Sequence, residues 1–347
     1  MKKTRLNPII LILCFMGILS LAGCGQSNPA ATPKAASTPS QSNDAKYPVT
    51  ISNYDSNENP ISYTYKKTPE RVAVIHPGAT ELLLELGLEG RILSTIAPYG
   101  APLDRIAEKY AQLTIMKAKY LPSQEELLEM QPDMIIGWAH NFRSSELGNV
   151  ESWQERGIGT FVMQSTLTKS EPTLDNVVYA FIADMGTIFG IPEKTTPYIQ
   201  NLKDRVGKIQ AATKNIPQKK TVIVLQDHFN GTFSVYDSHY LISNMIDLAG
   251  GKNLCQDTTS FVGAEKVLAF DPDFIIYVSH DKNEGTKDLT DEEALKALHE
   301  VSALQSMRAI QKGNIINLPF FTVNNGGIRT VDAIEKISHA LYPEQYQ

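Results

Sequence analysis

Between Tyr198 and Ala212 apolar side chains recur every three or four positions, at Tyr198, Leu202, Val206, Ile209 and Ala212. Lys203, Asp204, Lys208 and Lys214 fall between them, which is the pattern of an amphipathic helix. The stretch 191–217 is bounded by prolines, and Pro197 suits a first helical position behind a Thr196 cap, where its missing N–H needs no partner. From Pro197 to Lys214 such a helix runs about 27 Å at ~1.5 Å per residue. Periodicity alone does not separate a strut between two lobes from an ordinary helix within one domain. The flanking sequence does.

On its two sides the chain carries nearly the same pattern: EELLEMQPDMIIGWAH at 125–140 and EKVLAFDPDFIIYVSH at 265–280. The second copy lies 140 positions after the first, with Glu, Leu, Pro, Asp, both Ile and the final His identical. Such a self-match implies two copies of one supersecondary unit. Each reads as a short amphipathic helix, a Pro-Asp turn and an apolar run typical of a strand buried on both faces. The long helix therefore joins two similar lobes.

The rest of the chain keeps this alternation. VTISNY (49–54) and ISYTYKK (61–67) predict a β-hairpin at the edge of the first lobe. RVAVIH (71–76) is a strand, and Pro77 starts a helix that Gly87 ends, with Leu82, Leu83 and Leu86 on its buried face. RILSTIA (91–97), a helix over 102–113, the first repeat copy with its strand at 134–138, a helix over 144–156, TFVMQ (160–164) and a helix over 173–189 complete that lobe. In the second, TVIVLQ (221–226) leads through a Phe-Asn-Gly-Thr turn to a helix over 238–248 ended by Gly250 and Gly251. The second repeat copy with its strand at 274–278, a charged loop and helix run over 281–310, NIINLP (314–319) and a helix over 329–341 finish the chain. The expectation is an α/β protein. Two Rossmann-like lobes with parallel sheets, 47–190 and 218–347, are joined by the single long helix 191–217, with a ligand cleft between them and an ordinary core in each.

Residues 1–23 read as an export signal: Lys2, Lys3 and Arg5 precede an apolar core at 9–19, shorter than the about 20 residues a membrane span needs. It ends in Leu21-Ala22-Gly23-Cys24, which resembles the bacterial lipobox; by that resemblance Cys24 becomes the first mature residue and carries a lipid. A plain secretory signal beside a chance cysteine is the alternative. Residues 24–46, rich in Ser, Ala, Pro, Asn and Gln, read as a disordered tether. Cys14 leaves with the signal and Cys24 is modified, so Cys255 has no partner for an internal disulfide. Loss of the three signal cations takes the formal net charge from −6 to −9, which argues against nucleic acid and against broad adhesion to anionic lipid. The folded body is thus expected on the extracytoplasmic face of a membrane, held by its lipid.

Ligands of open α/β sheets sit outside the carboxyl ends of the strands. His76, His140, His228 and His280 fall at such ends. His140 and His280 hold matching repeat positions and are candidate metal ligands facing one another across the cleft, although an imidazole also serves simply to cap a strand end. Tyr99, Trp138, Phe229, Tyr236, Phe320 and Phe321 gather at the same level and would suit a large flat or chelated ligand. Arg143 and Arg329 are candidate partners for ligand carboxylates or phenolates, the competing reading being surface arginines near helix starts. No dinucleotide fingerprint, P-loop, nucleophile elbow or HExxH occurs, so nothing points to catalysis or to a resident cofactor.

The lipobox, the two Glu-x7-Asp repeat units and the single long helix resemble the ABC-importer substrate-binding proteins that serve ferric siderophores, haem and vitamin B12, over residues 49–342. The resemblance implies two lobes on one rigid helix that close only slightly on the ligand. It also implies, as partner, a permease dimer with its ATPase, met by one glutamate on each lobe. The matching positions are Glu125 and Glu265, each eight residues before the Asp of its Pro-Asp turn. A carboxylate at a helix start is also favoured by the helix dipole, with no docking role. Trp138 falls where B12-binding members carry a cleft tryptophan, whereas the arginine clusters of catecholate binders are not evident. The expected ligand is an iron chelate, a ferric siderophore or haem. Cobalamin, or a nickel chelate held by His140 and His280, is the alternative. A monomer is expected. A chelatase-like enzyme of related two-lobed design is the competitor from another class, and the export signal argues against that cytoplasmic chemistry.

Overall fold

The computed structural model describes residues 46–347 other than 119, 168, 170, 229, 258 and 280–288. The signal at 1–23, Cys24, the tether as far as residue 45, Phe229 and His280 lie outside the described residues. Two runs rich in β-branched and aromatic residues, β1 (Val49–Tyr54) and β2 (Pro60–Tyr65), pair antiparallel as expected. The Asp55 carboxylate closes their turn by accepting from the Asn57 and Asn59 N–H groups at 2.8 Å each. Strands and helices then alternate as β3 (Val72–Val74), α1 (Pro77–Glu85), β4 (Ile92–Thr95), α2 (Asp104–Ala111), α3 (Gln124–Met130), β5 (Met134–Gly137), α4 (Val150–Gln154), β6 (Gly159–Val162) and α5 (Ala180–Ile188). The long helix α6 (Pro192–Thr213) follows. After it come β7 (Thr221–Asp227), β8 (Phe233–Val235), α7 (Leu241–Leu248), β9 (Lys252–Asn253), β10 (Thr259–Val262), α8 (Ala264–Leu268) and β11 (Phe274–Ser279). The chain ends through α9 (Asp291–His299), α10 (Arg308–Gln311), β12 (Ile315–Pro319), α11 (Phe320–Asn324) and α12 (Thr330–Leu341).

The first sheet has the order β4-β3-β5-β6 and is parallel throughout. The second, β10-β8-β7-β11-β12 with β9 beside β7, is mixed, which corrects the expectation of two parallel sheets. Here β7, β11 and β12 run parallel, and β8 and β10 are antiparallel additions at one edge. Their source is the Asn230-Gly231 step. The His228 N–H donates to the Thr232 carbonyl at 2.8 Å and Gly231 takes φ 74°, so the chain returns as a hairpin before α7 begins at Leu241. Other boundaries shift for local reasons. The helix expected over 144–156 shrinks to α4, because Asn149 accepts from the Ser152 N–H at 3.0 Å and fixes the start there. The helix over 173–189 opens with a π-helical turn, Leu174–Tyr179. Pro192, not Pro197, holds the first position of α6; Pro197 lies inside the helix, where the missing N–H leaves the Glu193 carbonyl without its usual bond.

The sequence repeat is also a structural repeat. Val72 pairs with Met134 in the first sheet and Val222 with Phe274 in the second, both at the residue after the repeated aspartate. The Asp133 carboxylate accepts from the Glu70 and Arg71 N–H groups at 2.8 and 2.9 Å, and the Asp273 carboxylate accepts from the Thr221 N–H at 2.9 Å. Each aspartate therefore ties the start of the neighbouring strand. Matching positions after the two helices are left-handed non-glycine residues, Gln131 at φ 52°, which caps α3, and Asp271 at φ 35°, beyond the Ala269 cap of α8.

Alternation along the central strands builds three cores. Val72, Val74, Met134 and Ile136 of the first sheet share one core with Val222, Val224, Ile276 and Val278 of the second. It is filled by the apolar faces of α1, α5, α6, α7 and α12. Ala73 and Ile135 point to an outer core on the first sheet, and Ile223, Leu225 and Ile275 to another on the second. The two lobes thus share a core where a separate one in each was expected, and both sheets belong to one compact unit, Asn43–Gln347. Polar contacts cross the same seam. The Arg329 guanidinium donates to both Glu81 oxygens, Nη2 to Oε1 at 2.6 Å and Nε to Oε2 at 2.9 Å, with only 11% and 2% of the two side chains exposed. Arg105 bonds Glu85 at 2.9 Å and approaches Asp332, while Arg205 of α6 donates to Asp332 and Glu335 at 2.6 Å.

Removing one member of a buried ion pair strands the other charge, a loss of about 3–5 kcal/mol. Arg329→Leu is expected to lose that much in urea unfolding, whereas Lys219→Ala, which opens the exposed pair with Asp247, should change stability by ~1 kcal/mol or less. The double variant Glu81→Leu, Arg329→Leu should recover most of the loss. A double variant no better than Arg329→Leu alone would show that the pair contributes through packing and not through its charges.

Candidate functional site

The carboxyl ends of β3 and β5 bring three of the expected residues together. His76 follows β3 and caps α1, its Nδ1 accepting from the Ala79 N–H at 3.2 Å behind Pro77 at the first helical position. It is fully buried, and its Nε2 has no hydrogen-bond partner among the described residues. Burial pushes its pKa down to about 3, with a smaller contribution from His140, so the ring is neutral near pH 7. Trp138 packs against it with ring centroids 4.6 Å apart, and His140 lies 5.9 Å beyond Trp138. The turn carrying the last two is fixed by buried Asn141, whose Oδ1 accepts from the Trp138 N–H at 2.8 Å. Trp138 is half-buried, and His140 and Arg143 are exposed. Partial burial and the charge of Arg143 hold the His140 pKa below the usual imidazole range.

A second group spans the two lobes. Tyr99 meets Tyr120 edge-on at 6.0 Å and Phe321 at 6.4 Å; burial pushes its hydroxyl pKa up to about 12. Phe321 is buried in α11 and lies 4.8 Å under the Arg329 guanidinium, while Phe320 is half-buried beside the shared core. Arg329, expected to meet a ligand carboxylate, instead carries the Glu81 pair and donates to the Ala101 carbonyl at 2.6 Å. Asn325, four residues before Arg329, is buried against α1; a Cβ added at Gly78 would lie 2.9 Å from its own Cβ. That segment closes the seam between the lobes.

On the second sheet His228 follows β7, and its Nε2 lies 2.8 Å from the Ser234 hydroxyl. Its ring stacks at 4.5 Å on Phe261. Tyr236 is buried, donates to Gln226 at 2.6 Å and stacks on Tyr240 at 4.4 Å. Phe229 and His280 lie outside the described residues, so the facing pair His140 and His280 is not seen. Among the described residues no group of three His, Cys, Asp or Glu side chains could hold a metal ion. Glu125 and Glu265 are exposed in the first turns of α3 and α8, and Glu125 stands beside a capping box formed by Ser123 and Glu126. Sequence reading missed Tyr120, Phe261 and Glu81. The first two carried no signal beyond being aromatic, and Glu81 hid within an apolar helical face.

The neutral state of His76 has a measurable consequence. In the unfolded chain the imidazole takes up its proton near pH 6.5, while in the fold it resists until about pH 3. This residue's contribution is therefore complete above about pH 6.5 and is lost as pH falls through that window, by at most ~1.4 kcal/mol per pH unit. Asn at this position keeps an acceptor for the Ala79 N–H and does not titrate. Urea unfolding from pH 7 to pH 4 should show the parent losing stability more steeply than His76→Asn; parallel slopes would mean that His76 is protonated in the fold.

The comparisons with known proteins bear on this geometry. The chain is 20% identical over 351 residues to an uncharacterized ABC transporter substrate-binding lipoprotein, YvrC, of Bacillus subtilis, covering 100% of this chain and 99% of that one. It is 21% identical over 355 residues to a cobalamin-binding protein of Halobacterium salinarum, covering 99% of this chain and 86% of the other. Among solved structures, a periplasmic binding protein from Veillonella parvula superposes with a TM-score of 0.74 at 26% identity, covering 86% of this chain and 93% of its own. An ABC-type Fe3+-hydroxamate transport system from Saccharomonospora viridis superposes at 0.69 and 18% identity, covering 85% and 99%. The family model described as periplasmic binding protein matches residues 72–321, well over half of the chain, from β3 through the start of α11. Two α/β sheets with aromatic and imidazole side chains at their carboxyl ends, and a family model spanning both, make this chain a member of the periplasmic binding protein family, whose members bind and do not catalyse.

Proposed function

We propose that the protein is the extracytoplasmic, lipid-anchored receptor of an ABC importer, capturing an iron chelate (a ferric siderophore or haem) and delivering it to a permease dimer with its ATPase. The observation that carries this is the set of rings at the carboxyl ends of the two sheets: Trp138 and His140, with His76 buried against Trp138, on one, and His228 and Phe261 on the other. These are flat and largely uncharged surfaces, suited to a large chelate and poorly suited to a small, strongly charged anion. Arg329 is engaged with Glu81, leaving Arg143 as the exposed arginine among the expected ligand contacts. That favours chelates of low anionic demand, and both an Fe3+-hydroxamate system and haem-binding proteins stand among the structural neighbours. Cobalamin is the second reading, supported by the half-buried Trp138 and by the full-length likeness to a cobalamin-binding protein. The lipid anchor rests on Cys24 and on the lipoprotein name of the Bacillus relative. Among the described residues no helix is long and apolar enough to cross a membrane.

Titration of the purified body with ferrichrome, hemin and cyanocobalamin should quench tryptophan fluorescence for one of them. The chain has two tryptophans; Trp153 is fully buried with its Nε1 donating to Leu147, so most of a contact quench should vanish in Trp138→Phe. Turnover of a metal-free tetrapyrrole with added metal would instead establish the chelatase reading. For docking, Glu125→Ala and Glu265→Ala are each expected to lower uptake severalfold with ligand affinity intact, because two contacts on one rigid body act at high effective concentration. Assembly should weaken as salt rises. Normal uptake in the double variant would leave both glutamates as helix-start charges and nothing more.

A further inference from the structure

Among the described residues Phe261 is the most exposed large hydrophobic side chain, with 67% of its surface open. Its backbone lies at φ 53°, in the left-handed region that a bulky residue rarely adopts. The cause is a break in pairing. β10 sets Thr259 opposite Val235 and Val262 opposite Phe233, so Ser260 and Phe261 together face the single Ser234. This is a β-bulge, a device that re-aims a side chain. The re-aimed ring stacks on His228 at 4.5 Å with 28° between the planes. His228 is itself held, Nε2 to the Ser234 hydroxyl and backbone N–H to the Thr232 carbonyl, each at 2.8 Å.

Register places this pair. Val262 is opposite Phe233, Phe233 is opposite Asp227, and Asp227 is the last residue of β7 before His228. Phe261 therefore stands at the carboxyl end of the second sheet, where open α/β sheets receive their ligands. Folding alone does not account for the residue chosen there. Gly or Asn would take the left-handed backbone with less strain, and a polar side chain would avoid the exposed ring. One exposed aromatic is ordinary on a surface, and one left-handed residue is uncommon; both costs at a single position at this end of the sheet point to use.

We infer that Phe261, backed by His228, is a specificity-determining residue, a shelf that stacks on the conjugated plane of a tetrapyrrole and so favours haem or a cobalamin over a globular hydroxamate chelate. The inference rests on the chelate-receptor reading and deepens it. A ring already stacked on one face offers its other face to a second flat partner by the offset geometry that aromatic planes prefer.

The test measures affinity for hemin, cyanocobalamin and ferrichrome in the parent and in Phe261→Ala, Phe261→Asn and Phe261→Trp. Tetrapyrrole affinity is expected to fall about tenfold in the Ala and Asn variants and to stay within about threefold in Trp. Asn tolerates the left-handed backbone, so its thermal midpoint should be no lower than the parent's, and a loss of affinity there is not a loss of fold. A parent that binds a tetrapyrrole equally well in all variants overturns the inference and leaves the receptor reading standing. So does a parent that binds ferrichrome alone. Unchanged affinity with lost uptake would move Phe261 to the permease face and also overturn it. A parent that binds none of the three overturns both readings.

Discussion

The buried pair of Glu81 and Arg329 is the interaction on which the arrangement of the two sheets depends. Glu81 stands on α1, one turn beyond His76, and Arg329 leads into α12 behind the second sheet. Neither charge has appreciable access to water, so parting them would leave a carboxylate in apolar surroundings at a cost of several kcal/mol. An exposed pair opens at little cost because water replaces the partner, and this one has no such alternative. The part-buried and exposed pairs around it, from Glu85 through Arg105, Asp332 and Arg205 to Glu335, lie along the same seam. Beneath them apolar side chains from both sheets fill one shared core.

A seam of this kind sets the cleft before any ligand arrives. The rings at the carboxyl ends of the two sheets are held by bonds made within each lobe: His76 by the Ala79 N–H, Trp138 through Asn141, His228 by Ser234. Ligand binding then need not order these side chains, and the entropy that a looser site would lose on binding has been lost on folding. The neutrality of His76 belongs to the same design. A protonated imidazole at that depth would need a carboxylate, and a carboxylate beside Trp138 would turn an apolar stacking surface into a charged one.

Much of this was legible in the sequence, and the remainder was not for identifiable reasons. The repeat at an offset of 140 predicted two similar units, and the bonds made by Asp133 and Asp273 explain why the Pro-Asp pair recurs: each carboxylate ties the adjacent strand. Continuous apolar runs predicted strands covered on both faces, as the three cores show. The antiparallel edge was missed although Asn230-Gly231 is a hairpin signal, because β8 is only three residues long and its apolar alternation is too brief to register. Pro197 misled because a proline behind a threonine looks like a helix start. The true start, at Pro192, follows directly on the end of α5, where the Ile191 N–H reaches back to the Gly186 carbonyl at 2.8 Å over Gly190 at φ 65°, a local helix-ending turn. Arg329 was assigned toward the ligand because sequence shows a cation near a helix start and cannot show Glu81, 248 positions away, as its partner.

The same seam governs the proposed docking. Glu125 and Glu265 sit eight residues before the two strand-tying aspartates, so each is placed by the start of a central strand. Their separation is then fixed by how the two sheets are held together, which is the work of Glu81, Arg329 and the shared core. A partner with two-fold symmetry would read that separation. On this view a ligand that draws the lobes together slightly changes the spacing of the two carboxylates by a correspondingly small amount. A bivalent contact is sensitive to such a change, because its avidity depends on both ends fitting at once. A stiff receptor can therefore report occupancy without a large closing motion. The stiffness is the means of the report, since a loose hinge would let both glutamates reach their partners whether or not the cleft is filled.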